Sequence, residues 1–414
     1  MTRKDACQKN DPVIPMGPGF TMERIDKKIF VALFFSLFAS VTGVGIVVPL
    51  LPVYAHGLGA TGFYIALIFG GFSLTRTFFL PWFGKLSDRK GRKPFITAGL
   101  FAYFAISVAF IFFQDIKGLV LLRAIQGVAS AMIMPVAQAY IGDITPKGKE
   151  GLSMGIFNVS VFMGLSIGPL LGGAINDYFF LEAAFGAMAV MSFAAFCLSF
   201  FLLPPTREEK TVLRVYAPIR WGVLLTNRDI ISISLFRLVY TTCIGIIWGF
   251  LPVYGDMNFA LSSSAIGVLV VLAVSVSGLM NIPMGAVADR MDKRILVVTG
   301  GGITAVAILL LGNATGFWGM FAANIVFGIG GGISMPALMA LAVISGNKKD
   351  AMGAVMSLIT VAHSLGMLSG SIMAGVVMDF LNLKYAFYLG AMVMTAGTLV
   401  FILLMFRGNR TATG

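Results

Sequence analysis

Residues 84–94 read GKLSDRKGRKP, and residues 285–294 read GAVADRMDKR. The first stretch packs six charges (Lys85, Asp88, Arg89, Lys90, Arg92 and Lys93) into eleven residues. The second repeats its glycine, its Asp-Arg pair and its closing basic pair 201 positions later. Around both copies the chain is nearly free of charge. Only 12% of its residues are charged and its mean hydropathy is +0.91, whereas a soluble domain carries about 25% charged residues.

A bilayer is crossed by roughly 20 apolar residues per helix. Twelve such runs fill the chain: 30–54, 62–83, 95–113, 118–142, 152–173, 183–203, 230–254, 262–284, 295–312, 318–345, 352–378 and 385–406. Glycine and proline interrupt many of them, as membrane helices tolerate. Buried helices of a soluble protein would need polar outer faces that these runs lack. The expected fold is therefore an all-α integral membrane protein with twelve transmembrane helices.

With the N-terminus placed in the cytoplasm, the loops alternate sides, and 25 of the 30 Lys and Arg residues fall on the cytoplasmic side. The outer loops hold only Lys117 and Lys384. This positive-inside asymmetry predicts two cytoplasmic termini. It also accounts for the net charge of +12 without nucleic-acid binding. The N-terminal segment lacks the apolar core of a secretory signal. Cys7, Cys197 and Cys243 share no metal-binding or disulfide spacing, so no metal and no cofactor is expected.

The basic hairpin is one element of a longer internal repeat. LPVY at 51–54 returns at 251–254, Pro135 returns as Pro336, and Gly164 with Gly168 returns as Gly366 with Gly370, always at offsets of 200–202. The organisation this predicts is a cytoplasmic tail (1–29), a six-helix half (30–203), a charged cytoplasmic linker (204–229), a second half (230–406) and a second tail (407–414). Two pseudo-symmetric six-helix halves imply a pathway at their interface.

At these residues the chain resembles the major facilitator superfamily, over nearly its whole length. Gly84, Asp88, Arg89, Gly91 and Arg92 match that family's signature loop, with Gly285, Asp289 and Arg290 as a weaker second copy in which Asp292 replaces the second glycine. Arg123-Ala-Ile-Gln126-Gly127 is similar to the arginine motif of drug exporters. Gly155, Gly164, Gly168-Pro169 and Gly172-Gly173 fit the glycine pattern of proton-coupled antiporters, whereas the eleventh run has Ser371 where Pro169 stands. The resemblance is closest to the twelve-helix drug:proton antiporter branch. It implies a secondary transporter of the plasma (cell inner) membrane that exports small molecules by alternating access, with protons as the coupling ion. It also implies that Asp143 joins the Asp88 cluster and that Arg123 faces the central cavity.

The residues carry their own chemistry. Gly84 and Gly91 suit a sharp turn and Pro94 suits a first helical turn. A cluster at Asp88 that forms in one conformation and breaks in another is a gate, while Lys85, Lys90 and Lys93 read as a solvated anchor. Asp88 has two available partners: the neighbouring arginines, or a helix N-terminus across the half-interface. The small residues of the fifth run allow close helix approach.

Charges inside membrane helices are costly and so point to function. Arg76, Arg123 and Arg237 lie within apolar runs, as does His363, and all eighteen Asp and Glu lie in loops or at helix ends. Arg76 and Arg237 are close enough to helix ends to snorkel. Gln126, Asn158 and Asn281 are candidates for a polar cavity or for interhelical hydrogen bonds. The first run holds no acid, unlike many exporters of cationic drugs, so an arginine-lined cavity favours anionic or zwitterionic substrates. Asp88, Asp143 and His363 are the candidate proton carriers. The expected partners are then a small-molecule substrate, protons and the lipid bilayer, with the chain acting as a monomer. Of the rival classes, a lipid or glycolipid flippase would use the same fold. A polytopic membrane enzyme would need convergent acids or histidines, and the chain has two histidines, His56 and His363.

Overall fold

The computed structural model describes residues 24–113, 115–145, 150–204, 226–348 and 352–406. Both tails and most of the 204–229 linker lie outside those residues. The helices are α1 (Arg24–Val47), α2 (Leu50–Gly57), α3 (Gly62–Lys90), α4 (Lys93–Phe112), α5 (Ile116–Ile144), α6 (Glu150–Tyr178) and α7 (Leu181–Leu202) in the first half. The second half holds α8 (Arg228–Phe259), α9 (Ser263–Arg290), α10 (Lys293–Gly312), α11 (Phe317–Lys348), α12 (Met352–Phe380) and α13 (Lys384–Phe406). Among the described residues, twelve spans are long and apolar enough to cross a membrane, with α1 and α2 together making the first, broken at Val48-Pro49. Several spans run a turn or more beyond the apolar runs, because polar residues at a membrane surface remain helical once their backbone bonds are closed.

The repeat in sequence is a repeat in packing. In the first half α1 packs on α6 and α7, α3 on α5, and α4 on α5 and α7. In the second half α8 packs on α12 and α13, α9 on α11, and α10 on α11 and α13. The halves meet along α3 against α12 and α6 against α9. Lipid supplies no hydrophobic force between apolar helices, so small residues set these crossings by letting backbones approach. Gly62 on α3 and Gly375 on α12 face each other so closely that a Cβ on either would run into the other's carbonyl oxygen.

The repeat breaks at one turn in an informative way. Gly59, after α2, has φ +82°, while Ala260, 201 positions later at the C-cap of α8, has φ +46° and ψ 43°. A left-handed alanine costs roughly 1–2 kcal/mol, partly offset by the larger unfolded-state entropy of glycine. Ala260→Gly is therefore expected to raise stability by about 0.5–1 kcal/mol, read as a higher midpoint in thermal melts of the purified protein. A lowered midpoint would count against this backbone assignment.

Candidate functional site

The charged hairpin differs from the turn that its glycines suggest. Helix α3 continues through Gly84 to Lys90, and the connection is only Gly91 and Arg92 before α4 begins at Lys93. Gly91, at φ +87°, makes the turn, whereas a Cβ on Gly84 would meet nothing within 4 Å. Glycine is required at Gly91 because no other residue adopts that conformation at so little cost. Pro94 lies in the first turn of α4, where its missing N–H costs nothing.

This short turn aims Arg92 back across the helix ends. Its side chain is 11% exposed and pairs with Asp88, its Nε donates to Asp143 at 3.1 Å, and its Nη1 donates to Ser87 Oγ at 2.8 Å. Asp88 and Asp143 are thus joined through one guanidinium, with α3, α4 and α5 tied at one face. The carboxylate of Asp88 pairs within its own half. Arg89 is exposed. In the second copy Asp289 and Arg290 are exposed, Asp292 caps α10 through Arg294 N at 2.9 Å, and Ile344 stands where the repeat aligns Asp143. Among the described residues, the charge cluster therefore belongs to the first half alone.

The opposite face carries a matched pair that the sequence reading did not single out. Asp177, at the end of α6, accepts from Ser263 N at 2.9 Å and Ser264 N at 2.8 Å, the first residues of α9. Asp379, at the end of α12, accepts from Gly62 N at 2.5 Å and Phe63 N at 3.0 Å, the first residues of α3. Each carboxylate caps a helix N-terminus of the other half, where exposed N–H groups and the helix dipole both favour an anion. The signal was present in the sequence as Asp177 and Asp379 at an offset of 202, within the repeat's own spacing.

Below these caps the halves stay in contact. Gly70 on α3 packs against Leu368 on α12, Gly267 on α9 against the carbonyl of Pro169 on α6, and Ser166 Oγ lies 3.2 Å from Ser275 Oγ. Toward the charged hairpins, a Cβ on Gly84 of α3 or Gly285 of α9 would meet nothing within 4 Å, so neither glycine marks a close helix approach there. The halves are joined at the Asp177/Asp379 face, where the carboxylate caps and the close glycine approaches between them lie.

Between the faces lie the intramembrane cations. Arg123 on α5 is 5% exposed: its Nε donates to Ile68 O at 3.1 Å, its Nη1 to Gln126 Oε1 at 2.8 Å, and its guanidinium lies 4.6 Å from the Phe72 ring centroid. Arg123 and Gln126 thus tie α5 to α3. Arg76 on α3, Arg237 on α8 and His363 on α12 converge, with Arg237 Nη2 3.2 Å from His363 Nδ1. Neither Arg76 nor Arg237 pairs with a carboxylate among the described residues. Asn158 on α6 is exposed and Asn281 on α9 half-buried.

The glycines of α6 act at helix crossings. A Cβ on Gly164 would lie 2.9 Å from Val41, one on Gly168 2.7 Å from Thr42 O, and one on Gly172 would strike Ile46 O. These three pack α6 on α1, whereas Gly173 abuts Ser263 of the other half. Gly155 lies on the same helix, and Pro169 stands inside it.

The chain is similar to known proteins over most of its length. The family model described as Major Facilitator Superfamily matches residues 33–259 and 233–414. An uncharacterized MFS-type transporter of Methanocaldococcus jannaschii is 30% identical over 368 residues, covering 87% of this chain and 94% of the relative. The quinolone resistance protein NorA of Staphylococcus aureus is 24% identical over 393 residues, covering 92% and 97%. Among solved structures, the nucleoside transporter NupG superposes with a TM-score of 0.80 at 11% identity, covering 91% of this chain and all of that one.

Proposed function

The chain belongs to the Major Facilitator Superfamily, and on that premise we propose that it is a proton-coupled exporter of small organic molecules working by alternating access. It is a multi-pass membrane transporter rather than an enzyme. The observation that supports the finer reading is the uneven placing of the contacts between halves: carboxylate caps and close glycine approaches lie toward the Asp177/Asp379 face, and none is made by Gly84 or Gly285 at the other end. The quinolone resistance relative supports efflux as the direction. The positive-inside distribution supports a plasma-membrane protein with both termini and the Asp88 face in the cytoplasm. The chain works as a monomer in this reading, because the pathway lies between its own halves.

Asp88, Arg92 and Asp143 form the inner gate. Their bonds hold α3, α4 and α5 as one unit, and loss of Asp88 removes one carboxylate from Arg92 and opens no core cavity. The test is reconstitution into proteoliposomes with an imposed pH gradient and a fluorescent efflux substrate. The parent is expected to move substrate against its gradient while protons run down theirs, and a protonophore should stop it. Asp88→Asn is expected to lower that rate at least about tenfold at near-normal expression, as suits an exposed residue in the last turn of a helix. Parental rates in Asp88→Asn would reduce the hairpin to an anchor, and transport indifferent to the pH gradient would remove proton coupling.

A further inference from the structure

Two basic side chains of the second half bond each other, and a third from the first half lies within electrostatic reach of them, with no acid among the three. Arg76 comes from α3 of the first half; Arg237 and His363 come from α8 and α12 of the second. Arg237 Nη2 lies 3.2 Å from His363 Nδ1, and Arg237 Nη1 lies 2.9 Å from Met335 Sδ. A guanidinium can only donate, so Nδ1 is the acceptor and the imidazole proton sits on Nε2. Arg76 lies within electrostatic reach of the same imidazole. The Nε atoms of both arginines are buried without a partner.

These partners are poor for two guanidiniums. A thioether is a weak acceptor, and an unpaired buried charge is strongly unfavourable. The acids of α3, α8 and α12 stand at or near the helix ends: Asp88, Asp229, Asp256 and Asp379. Yet the three basic side chains are deep in the bundle and still partly exposed, which is the signature of groups lining an internal cavity. Arg123 is the contrast, since its donors are spent on Ile68 O and Gln126 and its exposure is 5%.

The repeat shows that the scaffold does not need these cations. The positions aligned with Arg76 and Arg237 are Ser277 and Ser36, and the position aligned with His363 is Val161. Both halves fold with the same helix pairings regardless. The cluster has therefore been placed on one side of a symmetric frame for a ligand rather than for packing.

We propose that Arg76, Arg237 and His363 form an oxyanion subsite that takes the carboxylate of an amphipathic organic anion. Each arginine offers a planar fork that matches two carboxylate oxygens, and His363 Nε2 supplies a further donor. The site straddles both halves, so a bound carboxylate bridges α3 to α8 and α12. This rests on the transport reading above and names its substrate class.

The test is equilibrium binding to the purified full chain in nanodiscs of zwitterionic lipid. The probes are 2-naphthoate and indole-3-acetate, with 2-naphthylmethylamine and 2-naphthylmethanol as the cation and neutral species of matched size. The carboxylates are expected to bind saturably and at least about tenfold tighter than the matched pair, about 1.4 kcal/mol. Arg76→Gln and Arg237→Gln should each remove most of that preference. Arg237→Lys, which keeps the charge but loses the fork, should fall between and guards against a variant that fails to fold. Carboxylates no tighter than the cation and neutral probes, or glutamine variants that bind like the parent, would overturn the proposal. A response to phosphatidylglycerol nanodiscs with none to either carboxylate would assign the cluster to lipid and overturn it as well. Proton-driven efflux is scored separately. Efflux without carboxylate preference defeats only this inference, and carboxylate binding without any transport defeats only the exporter reading.

Discussion

Gly172→Val is expected to destabilise the first half by on the order of 3 kcal/mol, the upper part of the overpacking range, and to abolish transport. The reason is the identity of the obstructing atom. A Cβ at Gly172 would run into the carbonyl oxygen of Ile46 on α1, a backbone group that cannot rotate away. Valine adds two methyls in the same direction, so α6 must separate from α1 over the stretch that also holds Gly164 and Gly168. Because lipid offers no hydrophobic force to press the helices back together, lost backbone contact is not recovered by repacking. Gly302→Val on α10 is the control, since a Cβ there meets nothing within 4 Å. It should leave the melting midpoint within a degree or two of the parent. Thermal melts of both variants, with efflux measured on whatever folds, check the pair. A Gly172→Val protein that melts and transports like the parent would show that α6 is free to move away from α1 at no cost.

That experiment marks how far sequence alone carried the reading. Helix number and the two-fold repeat were legible because both rest on long-range regularities, namely apolar run length and a constant offset near 201. The pattern at Gly164, Gly168 and Gly172 was legible as close packing, since glycine at that density in a membrane helix has few other uses. Which helix it packs against was not legible, because the partner, α1, carries no complementary pattern beyond Gly45. The ends of elements were also hidden. Gly84 read as a turn because it stands at an apolar boundary, but in α3 it is an ordinary helical residue, and Gly91 alone takes the positive φ.

The intramembrane cations illustrate a second limit. Arg76, Arg123 and Arg237 look alike in sequence, as lone charges in apolar runs. Their difference is tertiary: Arg123 finds a carbonyl, an amide and two aromatic rings on its own and the neighbouring helix, whereas Arg237 meets only a thioether and an imidazole, and Arg76 reaches that imidazole from the other half. A motif match favours Arg123 as the cavity residue, and the geometry favours the other two. Asp177 and Asp379 failed to stand out for the opposite reason. An acid at a helix end is ordinary, and only the fold shows that each end meets a helix start from the other half.

Replacing both of these carboxylates is expected to give the largest conformational effect. Each accepts two backbone N–H bonds at a helix N-terminus. A charge-assisted bond of this kind contributes roughly 1.5–3 kcal/mol when well shielded, but both side chains are exposed, so about 1 kcal/mol per cap is the fair figure after solvent screening. Two caps on symmetric sides of one interface then favour the closed face by about 2 kcal/mol, which is a population ratio of about thirty. Asp177→Asn with Asp379→Asn keeps the size but removes the charge that suits the helix N-termini and turns one of the two accepting oxygens of each cap into an NH2 donor. The bonds are broken whenever the face opens, so their loss should destabilise only the closed state. Spin labels at Phe179 and Leu381, exposed at the same face on opposite halves, report the opening directly. The double variant is expected to shift the distance distribution from one short component to a mixture with a longer one, and each single variant should fall between. Salt should narrow the difference between parent and variant, because exposed charges are screened over a Debye length of about 8–10 Å. An unchanged distribution in the double variant would mean that Gly62, Gly375 and their neighbours hold the face shut by packing alone.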